Sequence, residues 1–358
     1  MTVCVSIGGP SSYEASAPVD ELMVGTIDGV VALARKSGGW EERGRTLAGK
    51  HVHALLTDPK SGRIFAGIQD GGIYTSDDGR SWARRDNGVE YSNLYAMNSV
   101  QDGDTLRIYA GTEPAHLYVT TDLGESWEEL PSIRSVPSVK DWTFPSDPHD
   151  AHVKNITFDP RSPDTIFCAI EVGGVLKSED RGKTWIELNG FYEDVHRLGQ
   201  SPGKPDSLYM TTGDGFYSSA DGGGRWEHLT SGESRIGYPD GLVVHPRQPE
   251  LVFMSGANNG PGDWRKTPDA DSAIGRTRDG GRNWEYLAGG LPAHIHGNIA
   301  ALCMNVWPGG FELFSATTDG EVFHSGDGGD SWSTIASGLP AVSKGRHYRA
   351  LSGAARPR

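Results

Sequence analysis

One eight-residue pattern occurs six times along this chain and restricts the folds that it can adopt. Each copy has a hydroxyl residue at its first position, Asp at the third, Gly at the fifth and Trp at the eighth. The tryptophans that end the six copies are Trp82, Trp127, Trp185, Trp226, Trp284 and Trp332. A reduced seventh copy, Ser37-Gly-Gly-Trp40, lacks the aspartate. Recurrence of so specific a pattern indicates a repeat protein.

The pattern has the chemistry of a tight turn between two strands. Glycine supplies a positive φ, and the hydroxyl and carboxylate groups can bond to the backbone of the turn. Around the first full copy, four short segments have the character of strands, at residues 52–57, 63–67, 72–75 and 82–85. Successive tryptophans lie 41–58 residues apart. Four strands per repeat predict an all-β fold, a single seven-bladed β-propeller over residues 1–358.

The repeated turn resembles the Asp-box, or bacterial neuraminidase repeat, of the sialidase-like propeller superfamily. The resemblance covers nearly the whole chain and implies that the boxes are structural. That superfamily includes sialidases, other glycosidases, sortilin-like receptors and photosystem II assembly factors. Sialidase activity is not implied, because the chain has no Arg-Ile-Pro segment and has seven repeats where a typical sialidase has six. Two-domain xyloglucanases also carry Asp-boxes, whereas this chain has one propeller.

The two ends of the chain are expected to complete one blade together. After Trp332 and its strand, only one more strand fits, at residues 347–352. The N-terminal region supplies three strands, at residues 22–25, 30–35 and 40–43. We therefore expect one C-terminal strand plus three N-terminal strands to close the ring, because this pairing removes an open sheet edge. Residues 1–20 would form an N-terminal extension.

Charge and composition limit the partners of the chain. Its formal net charge is -14, which argues against binding to nucleic acid or to an anionic membrane. The sequence has neither the pattern of a secretory signal nor an apolar stretch of about 18 residues. The three cysteines, Cys4, Cys168 and Cys303, are an odd number at scattered positions. We expect buried free thiols and a cytoplasmic location.

Two insertions point to the working face of the ring. Trp127 and Trp185 are 58 residues apart, as are Trp226 and Trp284, whereas the other intervals are 41–48 residues. The extra sequence lies at residues 131–150 and 257–274. In a blade of four antiparallel strands, both insertions emerge on the face opposite the Asp-boxes, which we call the top face. Insertions in repeat folds gather on the working face.

Ionisable residues recur at one position of the inner strands. Several inner strands end in a residue-proline pair, such as Asp58-Pro59 and Asp159-Pro160. Five residues before the first member of each pair, at the top of the channel, stand His53, Lys154, His196 and Asp240. His152 precedes one of these positions, and His296 occupies the matching region of another repeat. The loops between second and third strands add Glu113 and Glu171 on the same face.

Imidazole and carboxylate groups that converge on one axial site suit a divalent metal or acid–base chemistry. We expect His53, His196, His296 and His152 as metal ligands, and Glu113, Glu171, Asp240 and Lys154 as catalytic groups. The predicted function is a metal-assisted lyase or hydrolase that acts on a small polar or sugar-like substrate. A metal-free acid–base site is the next interpretation. The alternative class is a non-catalytic propeller that binds a ligand or protein on its top face.

Overall fold

Seven sheets form the ring that the repeat predicts. The computed structural model describes residues 2–230 and 234–352, and each blade in it has four strands, with a fifth in one blade. The all-β, seven-bladed prediction is confirmed. Helical segments in the described part of the chain are short: Pro131–Ser135, Pro137–Asp141, Pro261–Trp264 and His347–Leu351. None of the described helices has the length and apolar character needed to cross a membrane.

Blades 2 to 7 follow the chain in order, with the innermost strand first. Blade 2 consists of Val52–Thr57, Ile64–Ile68, Gly72–Ser76 and Ala83–Arg84. Blade 3 consists of Leu94–Asp102, Thr105–Thr112, Leu117–Thr120 and Glu128–Glu129. Blade 4 consists of Val153–Phe158, Ile166–Ile170, Gly174–Ser178 and Ile186–Leu188. Within each of these blades, neighbouring strands are antiparallel.

Blades 5 to 7 repeat this arrangement. Blade 5 consists of Val195–Gln200, Leu208–Thr212, Gly215–Ser219 and Glu227–His228. Blade 6 consists of Tyr238–Val244, Val252–Ala257, Ala273–Thr277 and Glu285–Tyr286. Blade 7 consists of Ala301–Trp307, Gly310–Ala316, Val322–Ser325 and Ser333–Ala336. The apolar side chains of adjacent blades pack together: Trp127 of blade 3, for example, joins one buried cluster with Phe65 and Ile73 of blade 2.

Blade 1 closes the ring differently from our expectation. Its three outer strands are Glu21–Thr26, Gly29–Lys36 and Gly39–Thr46, as predicted. The predicted C-terminal inner strand is wrong, because residues His347–Leu351 form a helix. Val3–Val5 takes the inner position instead and runs parallel to Glu21–Thr26, with Val3 opposite Leu22. The chain therefore completes this blade from its N-terminal end alone.

The N-terminal region is part of the propeller rather than an extension. After Val3–Val5, the chain turns and returns as Ser12–Glu14, a strand parallel to the inner strand of blade 7. Between these strands, the amide of Gly8 donates to the carbonyl of His53, and the Gly8 carbonyl accepts from Met97. From the opposite side of the channel, the buried guanidinium of Arg197 donates to the carbonyls of Ile7 and Gly9. Residues 3–14 thus fill the channel.

The repeated turns use the hydroxyl and the carboxylate as the sequence suggests. In blade 3, Thr120 Oγ1 accepts from the amide of Gly124 at 3.1 Å, and Asp122 Oδ1 accepts from that of Ser126 at 3.0 Å. Gly124 has a φ of 88°, which glycine adopts without steric cost. The first copy is shifted by one residue: Ser76 and Asp78 make the turn in place of Thr75 and Asp77. These turns lie on the face opposite the candidate site.

Buried thiols agree with the sequence-based expectation. Cys4, Cys168 and Cys303 are all buried and unpaired. Burial raises the pKa of the Cys4 thiol to about 12. A thiol protonated over the whole neutral range is a poor nucleophile and metal ligand. The cysteines therefore belong to the core.

Candidate functional site

A β-bulge interrupts the inner strand of five successive blades at the same height. In each case one residue is skipped in the pairing with the second strand, as between Val52 and Ala54 or between Val195 and Arg197. The bulged residues are His53, Tyr95, Lys154, His196 and Asp240. A bulge leaves its extra residue outside the ladder and bends the strand, which re-aims the side chain. The five bulges surround the top of the channel.

Four of the five bulged residues are those that the sequence register predicts. Tyr95 was not predicted, because the long inner strand of blade 3 has no residue-proline pair from which to count. Its ring packs on His152 with centroids 3.7 Å apart and on His53 at 4.2 Å. Its only sequence signal is local: Tyr95 follows Trp82 by 13 residues, as His53 follows Trp40.

Glu171 is the centre of a buried charge cluster at this level. One of its oxygens, Oε2, lies 2.7 Å from His152 Nε2 and 3.2 Å from Lys154 Nζ. The other oxygen, Oε1, accepts a hydrogen bond of 2.8 Å from Lys344 Nζ. The glutamate side chain is only 1% exposed. The structure thus brings together three of the predicted site residues, and adds a lysine from the C-terminal segment.

Asp240 extends the cluster across the channel. Its Oδ2 accepts from Asn298 Nδ2 at 2.7 Å. Its Oδ1 lies 3.0 Å from Lys344 Nζ, at an angle outside hydrogen-bond geometry, so this contact is an ion pair. His196 Nδ1 lies 3.7 Å from the same oxygen and 2.7 Å from the carbonyl of Pro239. Asp240 therefore links blades 5, 6 and 7 to the C-terminal lysine.

Mutual pairing determines the charge states in the cluster. Burial alone would raise the pKa of Glu171, but Lys154, Lys344 and His152 outweigh it and hold that pKa well below the usual range. The pKa of Asp240 is likewise lowered, against its burial, chiefly by Lys344. Burial lowers the pKa of Lys154 to about 8. Both carboxylates are therefore ionised at neutral pH, and Lys154 can exchange a proton near it.

A cavity of about 1030 Å³ lies above this cluster. Glu113, His152, Glu171 and Lys344 line its floor. Its walls come from both top-face insertions, from the C-terminal segment and from a loop of blade 2, and they include Asp70, Phe144, Asp147, Asp150, Arg265 and Tyr348. A polar, partly aromatic cavity of this size accommodates a small oligosaccharide or another polar ligand.

Glu113 joins the cavity to the buried cluster. Its Oε2 lies 3.1 Å from His152 Nδ1, although the angle is not that of a hydrogen bond. Its other oxygen accepts from Asn93 Nδ2 at 3.0 Å. His152 thus stands between two carboxylates, with Glu171 fully buried behind it and Glu113, 13% exposed, in front. The three groups therefore form a continuous line from the buried cluster to the cavity.

Two predicted metal ligands lie apart from the Glu171 cluster. His296 is on the segment that precedes blade 7, where its Nδ1 bonds to Asp319 at 2.7 Å. His53 is at the mouth, but both of its ring nitrogens are engaged: Nδ1 with the carbonyl of Tyr95 at 3.3 Å, and Nε2 with the amide of Gly345 at 3.1 Å. His53 therefore holds the C-terminal segment in place.

A different set of ligand atoms meets near His196. Glu171, Asp194 and His196 each offer one atom within 4.8 Å of the other two. His196 Nε2 has no hydrogen-bond partner among the described residues and lies 3.5 Å from Asp194 Oδ1. One imidazole and two carboxylates are a plausible shell for a divalent transition metal. The ammonium of Lys344 also contacts Glu171, so a metal would have to compete with it.

The residues that the sequence interpretation missed come mainly from non-repeating segments. Lys344 lies after the last repeat, and Asp194 and Asn298 lie in the connections before the inner strands of blades 5 and 7. Asp194 lies two residues before the bulged His196, just as His152 lies two residues before the bulged Lys154. Asn298 lies shortly before the inner strand of blade 7. In blades 4 and 5, the polar residue directly before the inner strand was therefore the usable signal.

The chain is similar to known proteins in sequence and in fold. No family model matches the chain. Xyloglucanase Xgh74A of Acetivibrio thermocellus is 26% identical in an alignment of 231 positions that covers 54% of this chain and 27% of that protein. A probable oligoxyloglucan-reducing end-specific xyloglucanase of Neosartorya fischeri is 21% identical in an alignment of 192 positions that covers 48% of this chain and 22% of that protein. The chain spans about a quarter of the length of these curated relatives.

Solved structures show the same fold at low sequence identity. An ancestral GH74 enzyme superimposes with a TM-score of 0.63 and 17% identity, over 80% of this chain and 38% of that one. YCF48 from Cyanidioschyzon merolae gives 0.51 and 14%, over 79% and 85%. YCF48 bound to D1 peptide gives 0.50 and 18%, over 78% and 81%. The GH74 and YCF48 structures share the propeller architecture with this chain.

Proposed function

We propose that this protein is a glycoside hydrolase whose top-face cavity binds a sugar chain. The observation that carries the proposal is the Glu113–His152–Glu171 chain on the cavity floor. The curated relatives are xyloglucanases, which supports a carbohydrate substrate. A cavity, rather than a flat top face, supports an enzyme over a protein-binding module.

Each group in the chain has a distinct role in this proposal. Glu171, ionised and fixed by two lysines, accepts a hydrogen bond from His152 Nε2–H and orients the ring. The ring then presents Nδ1 towards Glu113. Glu113 faces the cavity, delivers a proton to the leaving oxygen of the sugar and is reprotonated by water in the cavity. Glu113 is thus the catalytic acid, whereas His152 and Glu171 are positioning residues.

Hydrolysis also requires a carboxylate that activates water on the far side of the sugar. The cavity wall supplies Asp70, Asp147 and Asp150 for this purpose. The wall also has the rings of Phe144 and Tyr348, on which a pyranose can stack. The two insertions and the C-terminal segment would therefore determine which sugars fit.

Release of reducing ends from xyloglucan and from its oligosaccharides tests the proposal. We expect Glu113→Gln to lower kcat at least about 100-fold, the usual effect of removing a general acid. Glu128→Gln, on the exposed outer strand of the same blade, is the matched control and should retain activity. The proposal fails if the wild-type protein cleaves no β-glucan offered, or if Glu113→Gln cleaves as fast as the control.

A metal-assisted lyase or hydrolase is a second candidate, favoured by the three ligand atoms of Glu171, Asp194 and His196. Protein purified without a histidine tag should then contain close to one equivalent of metal. The Asp194→Asn/His196→Ala double variant should contain almost none. A variant that retains the wild-type metal content excludes this ligand set.

A further inference from the structure

We propose that the channel mouth is a receptor for a primary ammonium group, and that the chain fills it with its own Lys344. A small primary amine would occupy the same position when the C-terminal segment, residues 343–351, withdraws. The proposal concerns cation binding and does not depend on the hydrolase activity.

The contacts of Lys344 are those of a bound ligand. Its ammonium group lies 2.8 Å from Glu171 Oε1, 3.0 Å from Asp240 Oδ1 and 3.2 Å from the hydroxyl of Tyr238. It also lies 5.2 Å from the centroid of the Tyr238 ring. Two hydrogen-bond acceptors, an ion-paired carboxylate and a nearby aromatic ring together suit a primary ammonium group. The lysine side chain is only 2% exposed.

The receptor has an excess of negative charge without this lysine. Glu171, Asp194 and Asp240 face the pocket from blades 4, 5 and 6. The other cations at this level include Lys154, 3.2 Å from Glu171, and the buried Arg197, whose charge acts on Asp240. Buried carboxylates without a counter-ion are strongly unfavourable. When Lys344 leaves, the pocket therefore favours another cation, or a proton, in its place.

The segment that carries Lys344 is held at a few points. The Ser343 carbonyl lies 2.8 Å from His51 Nε2, and the Gly345 amide donates to His53 Nε2 at 3.1 Å. Farther along, Leu351 packs in a small buried cluster with Tyr238 and Trp264. The segment also forms part of the cavity wall, so a ligand in the cavity is adjacent to it. Lys344 thus blocks the receptor from the side on which ligands arrive.

The experiment removes the ammonium group of Lys344 by substitution and then supplies a small primary ammonium ion in the buffer. Lys344→Ala removes the charge and leaves the space of the lysine side chain empty, and it should lower the Tm by several degrees. Ethylammonium chloride should restore at least about half of that loss, whereas sodium chloride and tetramethylammonium chloride at the same ionic strength should not. Tetramethylammonium is the decisive comparison, because it has the charge but no N–H donors. Lys266→Ala, at a side chain that is 79% exposed, is the control and should show no selective response to ethylammonium.

Each other outcome overturns the proposal. Equal stabilisation by all three salts would indicate general screening rather than a receptor. Larger stabilisation by zinc or manganese chloride than by ethylammonium would identify a metal site instead. An unchanged Tm in Lys344→Ala would show that the lysine is not bound as described. If the variant does not fold in buffer, refolding is compared in the three salts, and recovery in none of them, or equally in all, contradicts the receptor.

Discussion

The two ends of the chain both enter the central channel, but different forces hold them there. The N-terminal end contributes two strands, Val3–Val5 and Ser12–Glu14, which join the ladders of blades 1 and 7. The C-terminal end contributes a short helix, His347–Leu351, and one buried lysine. The N-terminal end is held by backbone pairing and apolar burial, and the C-terminal end mainly by ion pairs.

This difference separates the scaffold from the site. Val3 and Val5 are completely buried in the largest of the apolar clusters at this side of the ring, so losing them opens a core. Lys344 instead contacts groups that line the candidate site. We therefore expect the N-terminal end to determine whether the protein folds, and the C-terminal end to determine what the folded protein binds.

Deletion of residues 2–14 should have the largest effect. It removes the inner strand of blade 1 and the chain that fills the channel, which exposes two sheet edges and apolar core. We expect loss of the cooperative thermal transition, measured by circular dichroism. A chain that ends after Gly345 should keep a cooperative transition at a moderately lower Tm. If the C-terminal truncation unfolds the protein and the N-terminal deletion does not, the roles of the two ends are reversed.

Glu171→Gln should have the next largest effect, because it leaves Lys154 and Lys344 without their shared counter-ion. Breaking a buried ion pair on one side costs about 3–5 kcal/mol. Glu125→Gln, which breaks an exposed pair with Arg85, should cost about 0–1 kcal/mol. Urea unfolding of the two variants measures both free energies. If both variants lose a similar amount of unfolding free energy, the buried ion pairs of Glu171 contribute little to holding the C-terminal end.

Acid should release the C-terminal end before the N-terminal end. Burial lowers the pKa of His347 to about 3. Between pH 3 and the usual pKa of about 6.5, the imidazole of His347 therefore stays unprotonated while the segment is docked. The released segment binds a proton below pH 6.5. Each unit by which the pH falls below 6.5 then favours release of the segment by about tenfold through this single group. Docking is thus strongest above pH 6.5 and weakens as the pH falls.

Hydrogen exchange of residues 343–351 and of residues 3–14 measures this order. Between pH 6.5 and 4, we expect protection to fall in the first segment and to persist in the second, after correction for intrinsic rates. His347→Phe retains a ring beside Trp264 and should remove most of the pH dependence. Equal loss of protection in both segments would show that acid opens the whole ring.

Asp122→Ala should have the smallest effect, because it changes a repeated turn far from both ends. It removes the acceptor for the Ser126 amide and hydroxyl on an exposed turn. The expected loss is about 1 kcal/mol, with the cleavage rate and ligand binding unchanged. If the cleavage rate or ligand binding changed while the stability did not, the turns would be energetically coupled to the channel mouth.

The sequence predicted the blades and much of the mouth because both follow the repeat. Counting from the residue-proline pairs identified His53, Lys154, His196 and Asp240, and all four occupy bulges at one height. His296, which was placed only by the matching region of its repeat, lies before the inner strand of blade 7, because that strand begins at Ala301. Asn298, two residues later, is the side chain that reaches Asp240.

The closure and the C-terminal lysine could not be predicted in this way. Val3–Val5 is a three-residue strand in a parallel pairing, and neither turn chemistry nor alternation marks such a partner. A C-terminal strand was the simpler expectation because it would have been antiparallel like the rest of the blade. Lys344 has no counterpart in the repeat, and its role arises only from the ring that brings Glu171 and Asp240 to face each other.

The five bulges have a consequence for how such a mouth can change. A residue that takes no part in the ladder can be exchanged without disturbing strand register, since its neighbours on both sides keep their partners. The bulged positions are therefore equivalent backbone sites at which the side chain can vary. Here they carry two imidazoles, a phenol, an amine and a carboxylate. Propellers with the same bulges can acquire unrelated chemistries through a handful of substitutions, while their blades stay the same.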